Sequence, residues 1–441
     1  MKKLTRNKNL NTFTLRCLTI LCALAIVSVG HAPVAAAQAN WAQTYYNGAH
    51  TGYNPNETIL GVGNVPSLQL LWATSVAGGV TNFTVDGGVV YATGQSNNLV
   101  ALNASTGAAM WTAYTGGNGG ENGNGAIATG GGLVFAQCFF KDKGAISYEA
   151  ICAYNASTGK LVWQYSEPCN CLPEASVESP LVFNNGVLYF GYANGGTTST
   201  RGIYAVTAAT GKLLWGYDEF SNSFGVGPAA VAGSELYFEG GPSTAINALT
   251  TSNGTLTWTT PISTGAAISV SGGVVYASGQ WTFANATLYA LNATTGATEW
   301  SYTYATENWC GSAAPPSPPA IAKATVYFQG VDGNLYALRA KNGTLLWSDS
   351  PNTGLCDRFT SSPSIANGVV YISGGDDAGT ASNTTAYNAA TGALLWGSPS
   401  QHGTLYTPPV VVNGILYFAS PGDSICKSIC AYSLPPGANN E

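Results

Sequence analysis

The stretch Ala101-Leu102-Asn103-Ala104-Ser105-Thr106-Gly107-Ala108-Ala109-Met110-Trp111 decides the fold, because its frame, Ala-x5-Gly-x3-Trp, occurs seven times in full along the 441 residues. The frame starts at Ala101, Ala153, Ala205, Ala248, Ala290, Ala337 and Ala386 and ends on Trp111, Trp163, Trp215, Trp258, Trp300, Trp347 and Trp396. A second phrase alternates with it: a turn rich in Gly, Asn and Asp leads into a short apolar run. That run ends in Tyr91, Phe135, Tyr189, Tyr237, Tyr276, Tyr327, Tyr371 or Tyr417. Successive tryptophans stand 39 to 52 residues apart, room for four short strands with their turns and more than an ankyrin, tetratricopeptide or leucine-rich repeat spans.

Within one unit, Phe83 to Tyr91 places two β-prone stretches around a turn whose glycines accept positive φ. Leu99–Asn103 continues as a third strand, and a tight turn follows in which Asn or Thr bonds local backbone and Gly supplies the left-handed position. Ala at a fixed place implies a crowded contact between stacked sheets, where a larger side chain would overpack. One sheet of strands about five residues long cannot bury both faces unaided; a closed ring of such sheets can, and it leaves only short edges. Two orphans close that ring. Ala431 and Gly437 repeat the spacing without a Trp, and Trp72 in Leu70-Leu71-Trp72 has no phrase before it. Residues 67–76 are therefore expected to pair with Ile429–Ser433 as the outer strand of the last blade. The expected fold is all-β: an eight-bladed β-propeller of four-stranded antiparallel blades over residues 67–441, preceded by a lead-in at 40–66.

Lys2, Lys3, Arg6, Lys8 and Arg16 precede the apolar run Leu18–Val29, and Ala35-Ala36-Ala37-Gln38-Ala39 follows. This pattern reads as a signal peptide over residues 1–39, with cleavage after Ala37 or Ala39. The apolar run is too short for a spanning helix, and Leu21 before Cys22 does not fit a lipoprotein signal. The expected location is periplasmic or extracellular, with no membrane span after cleavage. Cleavage would leave ten basic residues against 21 acidic, a net charge of −11. Only 8% of residues are charged, far below the roughly 25% of ordinary globular chains. Coiled coils and charge-rich disorder are excluded, and so is electrostatic binding of nucleic acid, which needs clustered Lys and Arg. A surface solvated by Ser, Thr, Asn and Gly suits an acidic exterior.

The form Ala-x-Asn-x-x-Thr-Gly-x-x-x-Trp, seen at Ala101–Trp111 and Ala290–Trp300, resembles the tryptophan-docking motif of pyrroloquinoline-quinone (PQQ) repeat propellers. The segment from Trp41 to Trp72, with His50-Thr51-Gly52-Tyr53-Asn54-Pro55 and Asn64-Val65, is similar to the lead-in of quinoprotein dehydrogenases and secreted PQQ-like repeat proteins. The resemblance covers nearly all of residues 41–437. It implies that Trp72, Trp111, Trp163, Trp215, Trp258, Trp300, Trp347 and Trp396 dock between neighbouring sheets as structural residues. It also implies one of two functions: a dehydrogenase of alcohols or sugars holding PQQ and Ca²⁺ in the channel, or a non-enzymatic assembly protein binding partners. The chain has no vicinal Cys-Cys pair, no Cys-x-x-Cys-His haem site and no long inter-blade insertions. These departures weaken the enzyme reading, the missing lipobox similarly weakens the assembly-lipoprotein reading, and a secreted binding or scaffold propeller is the expected function.

On such propellers the loops from an outer strand to the next inner strand share a rim with the loops joining second and third strands. Most charges are expected there. Glu121, Glu167, Glu174, Glu178, Asp218, Glu219, Glu307, Asp349, Asp357 and Arg358 fall in the first set. Lys141, Asp142, Lys143, Glu149, Arg201, Glu239, Asp376, Asp377, Asp423 and Lys427 fall in the second. Trp281, Trp309, Tyr304 and Phe359 join them. Charges and aromatics at one mouth mark a surface for a protein or glycan partner. Glu178, Arg201, Glu307, Trp309, Arg358, Asp376 and Asp377 are the ligand-binding candidates, Arg358 for the planar fork it offers to carboxylate or quinone oxygens. Asp357 is a candidate base. Asp376-Asp377 with Asn383 lacks the spacing of a calcium loop, and His50 and His402 bracket no zinc set, so no metal site is assigned. A monomer is expected.

Eight cysteines lie beyond the signal, an even number that fits structural disulfides in an exported chain. Cys138 and Cys152 lie on consecutive strands, Cys426 and Cys430 around a turn, and Cys310 and Cys356 in matching loops. Cys169 and Cys171 either pair with each other or have partners elsewhere. Nine Asn-x-Ser/Thr sequons, including Asn103, Asn155 and Asn292, fall mostly inside the repeat phrase and read as repeat consensus rather than glycosylation sites.

Overall fold

The structure, a computed structural model, describes residues 40–94, 96–116, 126–142, 146–166, 176–177, 180–193, 200–220, 227–240, 245–262, 268–281, 284–306, 318–349, 359–375, 382–400, 407–420 and 425–437. Eight sheets form the blades of a propeller, antiparallel except where Tyr53–Asn54 of the lead-in adds a parallel strand to the inner edge of blade 7. Blade 1 runs from the axis outward as Asn82–Asp86, Val89–Gly94, Asn98–Asn103 and Ala109–Tyr114. Blades 2 to 7 repeat that order, with inner strands at Ile127–Gly130, Val182–Asn184, Ala230–Ala232, Ile268–Ser271, Ala320–Ala322 and Ser364–Ala366. Blade 8 consists of Val410–Val412, Ile415–Ala419 and Ile429–Ser433, completed by Gln69–Thr74 from the other end of the chain. Trp72 stands opposite Ala431, as Trp111 stands opposite Ala101. The expected closure is therefore observed.

Side chains of the repeat phrase join each blade to the next. The indole N–H of Trp111 donates to the Ala156 carbonyl of blade 2 at 2.9 Å, and the Tyr91 hydroxyl donates to the same oxygen at 3.2 Å. Trp163, Trp215, Trp258, Trp300 and Trp347 donate to Ala208, Thr251, Ala293, Ala340 and Ala389 in the same way. Across the closure, Trp72 and Tyr417 both donate to Ala104. The phrase glycine explains itself here. At Gly211, φ is +68°, and an added Cβ would lie 2.5 Å from the Trp163 ring. The phrase alanines, Ala101 through Ala431, are fully buried, so sheet stacking leaves room only for a methyl group.

The phrase asparagine closes its own turn. Asn155 Oδ1 accepts bonds from the N–H groups of Ser157 and Thr158 and from the Thr158 hydroxyl, the local bonding that gives Asn its place in turns. Asn103 and Asn292 repeat this pattern, which accounts for the sequons.

Strand length departs from expectation. Leu133–Asp142 and Ile146–Asn155 have 10 residues each, and Thr200–Thr207, Leu213–Phe220 and Thr298–Ala305 have 8. Paired strands lengthen together, since each residue added to one completes ladder bonds of the other. Lys141, Asp142, Glu149, Arg201, Asp218 and Glu219 consequently stand on strands, not in loops, and Glu239 and Asp349 stand near the ends of strands of ordinary length. Cys138–Cys152 and Cys426–Cys430 are disulfide-bonded. Cys169, Cys171, Cys310 and Cys356 lie outside the described residues.

Candidate functional site

Inner strands of a propeller turn unpaired N–H and C=O groups toward the axis, and such edges need partners. At the end of the axis that carries the turns between first and second strands, the lead-in supplies them blade by blade. Trp41 exchanges two backbone bonds with Val85 of blade 1, at 2.7 and 3.1 Å, and the Ala42 carbonyl accepts from Thr129 of blade 2. Blade 3 meets a side chain instead. Gln43 donates to the Phe183 carbonyl at 3.2 Å and accepts from its N–H at 2.9 Å. The carbonyls of Gly48, Ala49, Thr51 and Gly52 then accept from Val231, Val270, Ile321 and Ile365 of blades 4, 5, 6 and 7. Asn54 reaches the Val411 carbonyl of blade 8 at 2.8 Å. The segment also bonds across itself, Gly52 N–H to the Tyr45 carbonyl at 3.1 Å and Asn47 to Thr51 at 2.9 Å. Residues 41–54 thus close this mouth.

His50 is part of that closure. Its Nδ1 lies 3.0 Å from the Ile268 carbonyl, and its ring meets Tyr45 edge-on at 4.8 Å. Burial pushes the imidazole down to about 4, against the pull of that carbonyl. Burial raises the Tyr45 hydroxyl to about 12, so both groups are neutral at pH 7.

The opposite end carries the connections between second and third strands. Here one level of the structure is polar where the repeat leads one to expect core. Two residues past the aromatic of the second strand stand Thr93, Gln137, Glu239, Ser278, Gln329 and Ser373 in six of the eight blades, all buried, with Gly191 and Ala419 at the same place in blades 3 and 8. Among the described residues, neither amide atom of Gln137 has a hydrogen-bond partner, and Gln329 Oε1 has none. Unpartnered buried amides are costly in a structure kept only for stability; each shares a strand face with Phe135 or Tyr327, the face turned toward the next blade.

In the turn of blade 6 at this end, Asp332 accepts from the Tyr336 hydroxyl at 2.6 Å and from Asn334 at 2.8 Å. Burial raises its carboxyl above the ordinary range, while those donors pull it down. Tyr304 is not part of an exposed aromatic mouth. It is buried between blades 5 and 6, its ring 5.1 Å from Tyr336 and 5.6 Å from Phe328.

Glu178, Glu307, Trp309, Asp357, Arg358, Asp376 and Asp377 lie outside the described residues. Arg201 pairs with Ala193 and Glu219 in the ladder of blade 3, and its side chain lies outside them as well. A resident PQQ with Ca²⁺ would need several oxygen ligands converging near the axis. Among the described residues, no three His, Cys, Asp or Glu side chains come together, and the unpartnered groups at this level are neutral amides. The described residues do not supply that seat. Among the same residues, no helix is long and apolar enough to cross a membrane.

The sequence reading missed the polar level and the closing segment. Aligning the units on their aromatics exposes the polar level directly, since Thr93, Gln137, Glu239, Ser278, Gln329 and Ser373 share one offset.

Tetrathionate hydrolase of Acidithiobacillus ferrooxidans is 28% identical over 310 residues, which are 61% of this chain and 58% of that protein. Outer membrane protein assembly factor BamB of Yersinia pestis is 30% identical over 213 residues, 44% of this chain and 51% of its own. The chain thus spans little more than half the length of these relatives. The crystal structure of quinohemoprotein alcohol dehydrogenase from Comamonas testosteroni superposes with a TM-score of 0.66 at 16% identity, over 90% of this chain and 81% of that one, a likeness of fold alone. The profile of one family matches residues 57–202 and 199–439. With nearly the whole propeller inside those two stretches, the chain belongs to the family described as outer membrane protein assembly factor BamB.

Proposed function

We propose that this chain is an exported binding propeller that engages a protein or glycan partner at the rim opposite its closed mouth. One observation carries the reading: residues 41–54 bond to all eight blades at the turn end, so exchange with the channel runs through the other end. The polar level with its unpartnered Gln137 and Gln329 lies at that end. Membership of an assembly-factor family supports a partner-binding role. A second reading, an enzyme that takes its substrate through the same mouth, is favoured by the 310-residue match to tetrathionate hydrolase.

The test places a photo-crosslinking residue at Asp349, on the rim side of blade 6, and in a second protein at Lys323, in the turn on the closed side. Exposure to the exported proteins and glycans of the source cell should give one defined adduct from Asp349 and none from Lys323. The protein should neither consume tetrathionate nor, after loading with PQQ and Ca²⁺, reduce dye with alcohols or sugars. Tetrathionate turnover would replace the binding role with the enzyme, and dye reduction would make the protein a quinoprotein dehydrogenase. An adduct from Lys323 alone would remove the rim.

A further inference from the structure

Seven of the eight joints between blades carry the same tie, an indole N–H donated to a turn carbonyl of the next blade. The joint between blades 7 and 8 does not. Among the described residues, Trp396 donates to no carbonyl, and its ring instead meets Tyr432 edge-on at 5.2 Å. Tyr371, at the position where Tyr91, Tyr237, Tyr327 and Tyr417 donate across their joints, is fully buried, and its hydroxyl is unpartnered among the described residues. The cause lies in the sequence. Blade 8 takes its fourth strand from residues 69–74, so no continuous turn runs from its third strand into its fourth. Gly437, the counterpart of Gly211, has nothing within 4 Å of a built Cβ.

Another part of the lead-in occupies this joint. Leu60, Val65 and Leu68 are buried in one apolar cluster that takes in Val369, Tyr371 and Ala386 of blade 7 and Leu416, Phe418 and Tyr432 of blade 8. Glu57 fixes the insert. One carboxylate oxygen accepts from the N–H groups of Ile59 and Leu60, at 2.7 and 3.0 Å, and the other from Gly414 in the first turn of blade 8, at 3.0 Å. Apolar contact has replaced directional bonds, and the replacement comes from a segment outside both blades.

We infer that the joint between blades 7 and 8 is where the ring opens, and that residues 57–68 are the wedge that holds it shut. The wedge is continuous with residues 41–54, so its release frees one end of the segment that closes the channel. Opening of the joint and unthreading of the closed mouth are then a single device, independent of which partner the rim binds.

Native-state hydrogen exchange of the full chain, followed by mass spectrometry in sub-denaturing urea, tests this. Amides of Val369–Gly375 and Ile415–Ala419 should exchange about tenfold faster than those of Val187–Ala193 and Glu235–Gly240, as a unit that opens below global unfolding. In Leu60→Ala the rate should rise further in blades 7 and 8 and stay unchanged in blades 2 to 4. Equal protection in all blades, or weakest protection at another joint, would overturn the assignment. So would a Leu60→Ala effect spread evenly around the ring. Should Leu60→Ala fail to accumulate, the comparison within the unaltered chain decides alone.

Discussion

Gly211 and His50 show how single residues hold this structure for different reasons. Gly211 joins a positive φ to a tryptophan face, and a methyl group there would meet the Trp163 ring at 2.5 Å. Gly211→Ala should cost about 2 to 4 kcal/mol, from overpacking together with backbone strain. Gly437→Ala, with φ at +90° and open space around it, should cost about 1 kcal/mol. Urea denaturation of the two variants checks the difference, and equal costs would remove the stacking argument. His50 acts through protons. Its pKa falls from 6.5 to about 4 on folding, so between those values the unfolded chain binds a proton that the folded chain refuses. Stability therefore falls as pH drops from about 6.5 to about 4, by up to roughly 3 kcal/mol, and His50 adds no further change below that. His50→Asn keeps a donor for the Ile268 carbonyl and cannot titrate. Its urea midpoint should vary less than that of the unaltered chain across this window, all other groups being common to both. An identical slope in the two proteins would show that His50 is not the source.

At the scale of elements, the legible part of the sequence was the part that repeats. Tyr91 with Ala101 and Trp111 marks three strands of a blade, and counting such sets yields both the blade number and the head-to-tail pairing of Trp72 with Ala431. The lead-in was not legible because its work is done by main chain. Ala42, Gly48, Ala49 and Gly52 use carbonyl oxygens that any residue possesses, and no apolar period marks them. Gln43, His50 and Asn54 each act once, in a role no neighbour repeats. Strand ends misled for the opposite reason. Asp218 and Glu219 read as loop because they lie past an outer strand expected to be about five residues long, yet Glu219 pairs with Arg201 in the ladder, and Asp218 accepts from Tyr204. Of the candidate site, the loop charges named from the sequence lie largely outside the described residues. The polar level was not legible, since a lone Gln after Phe135-Ala136 reads as the end of a strand instead of its buried continuation.

The whole molecule is an array of sheets whose two ends meet. In an open array, stability is the sum of each unit and its contact with the next; closing the array adds one further joint and makes the first and last units depend on each other. Here one strand from the head of the propeller carries much of that dependence, beside the Tyr417 tie to Ala104. Gln69–Thr74 completes blade 8 by pairing with Ile429–Ser433, and its Trp72 carries the tie to Ala104 of blade 1. Removing residues 40–76 would leave Ile429–Ser433 as an open edge, strip the partners from the inner strands at the closed mouth and withdraw Leu60, Val65 and Leu68 from their cluster. The melting temperature of that truncated chain should fall sharply. A synthetic peptide of residues 40–76 should raise it again in proportion to the logarithm of peptide concentration, because a ligand of the folded state alone stabilises by mass action. The same peptide with Trp72→Ala should restore less at each concentration, since it completes the sheet but leaves Tyr417 alone to tie blade 8 to Ala104 of blade 1. If the truncated chain melts where the intact chain does, the head-to-tail strand is not what fastens the ring. If it melts early and the peptide has no effect, closure depends on the covalent continuity of residues 76 and 82 rather than on the pairing itself.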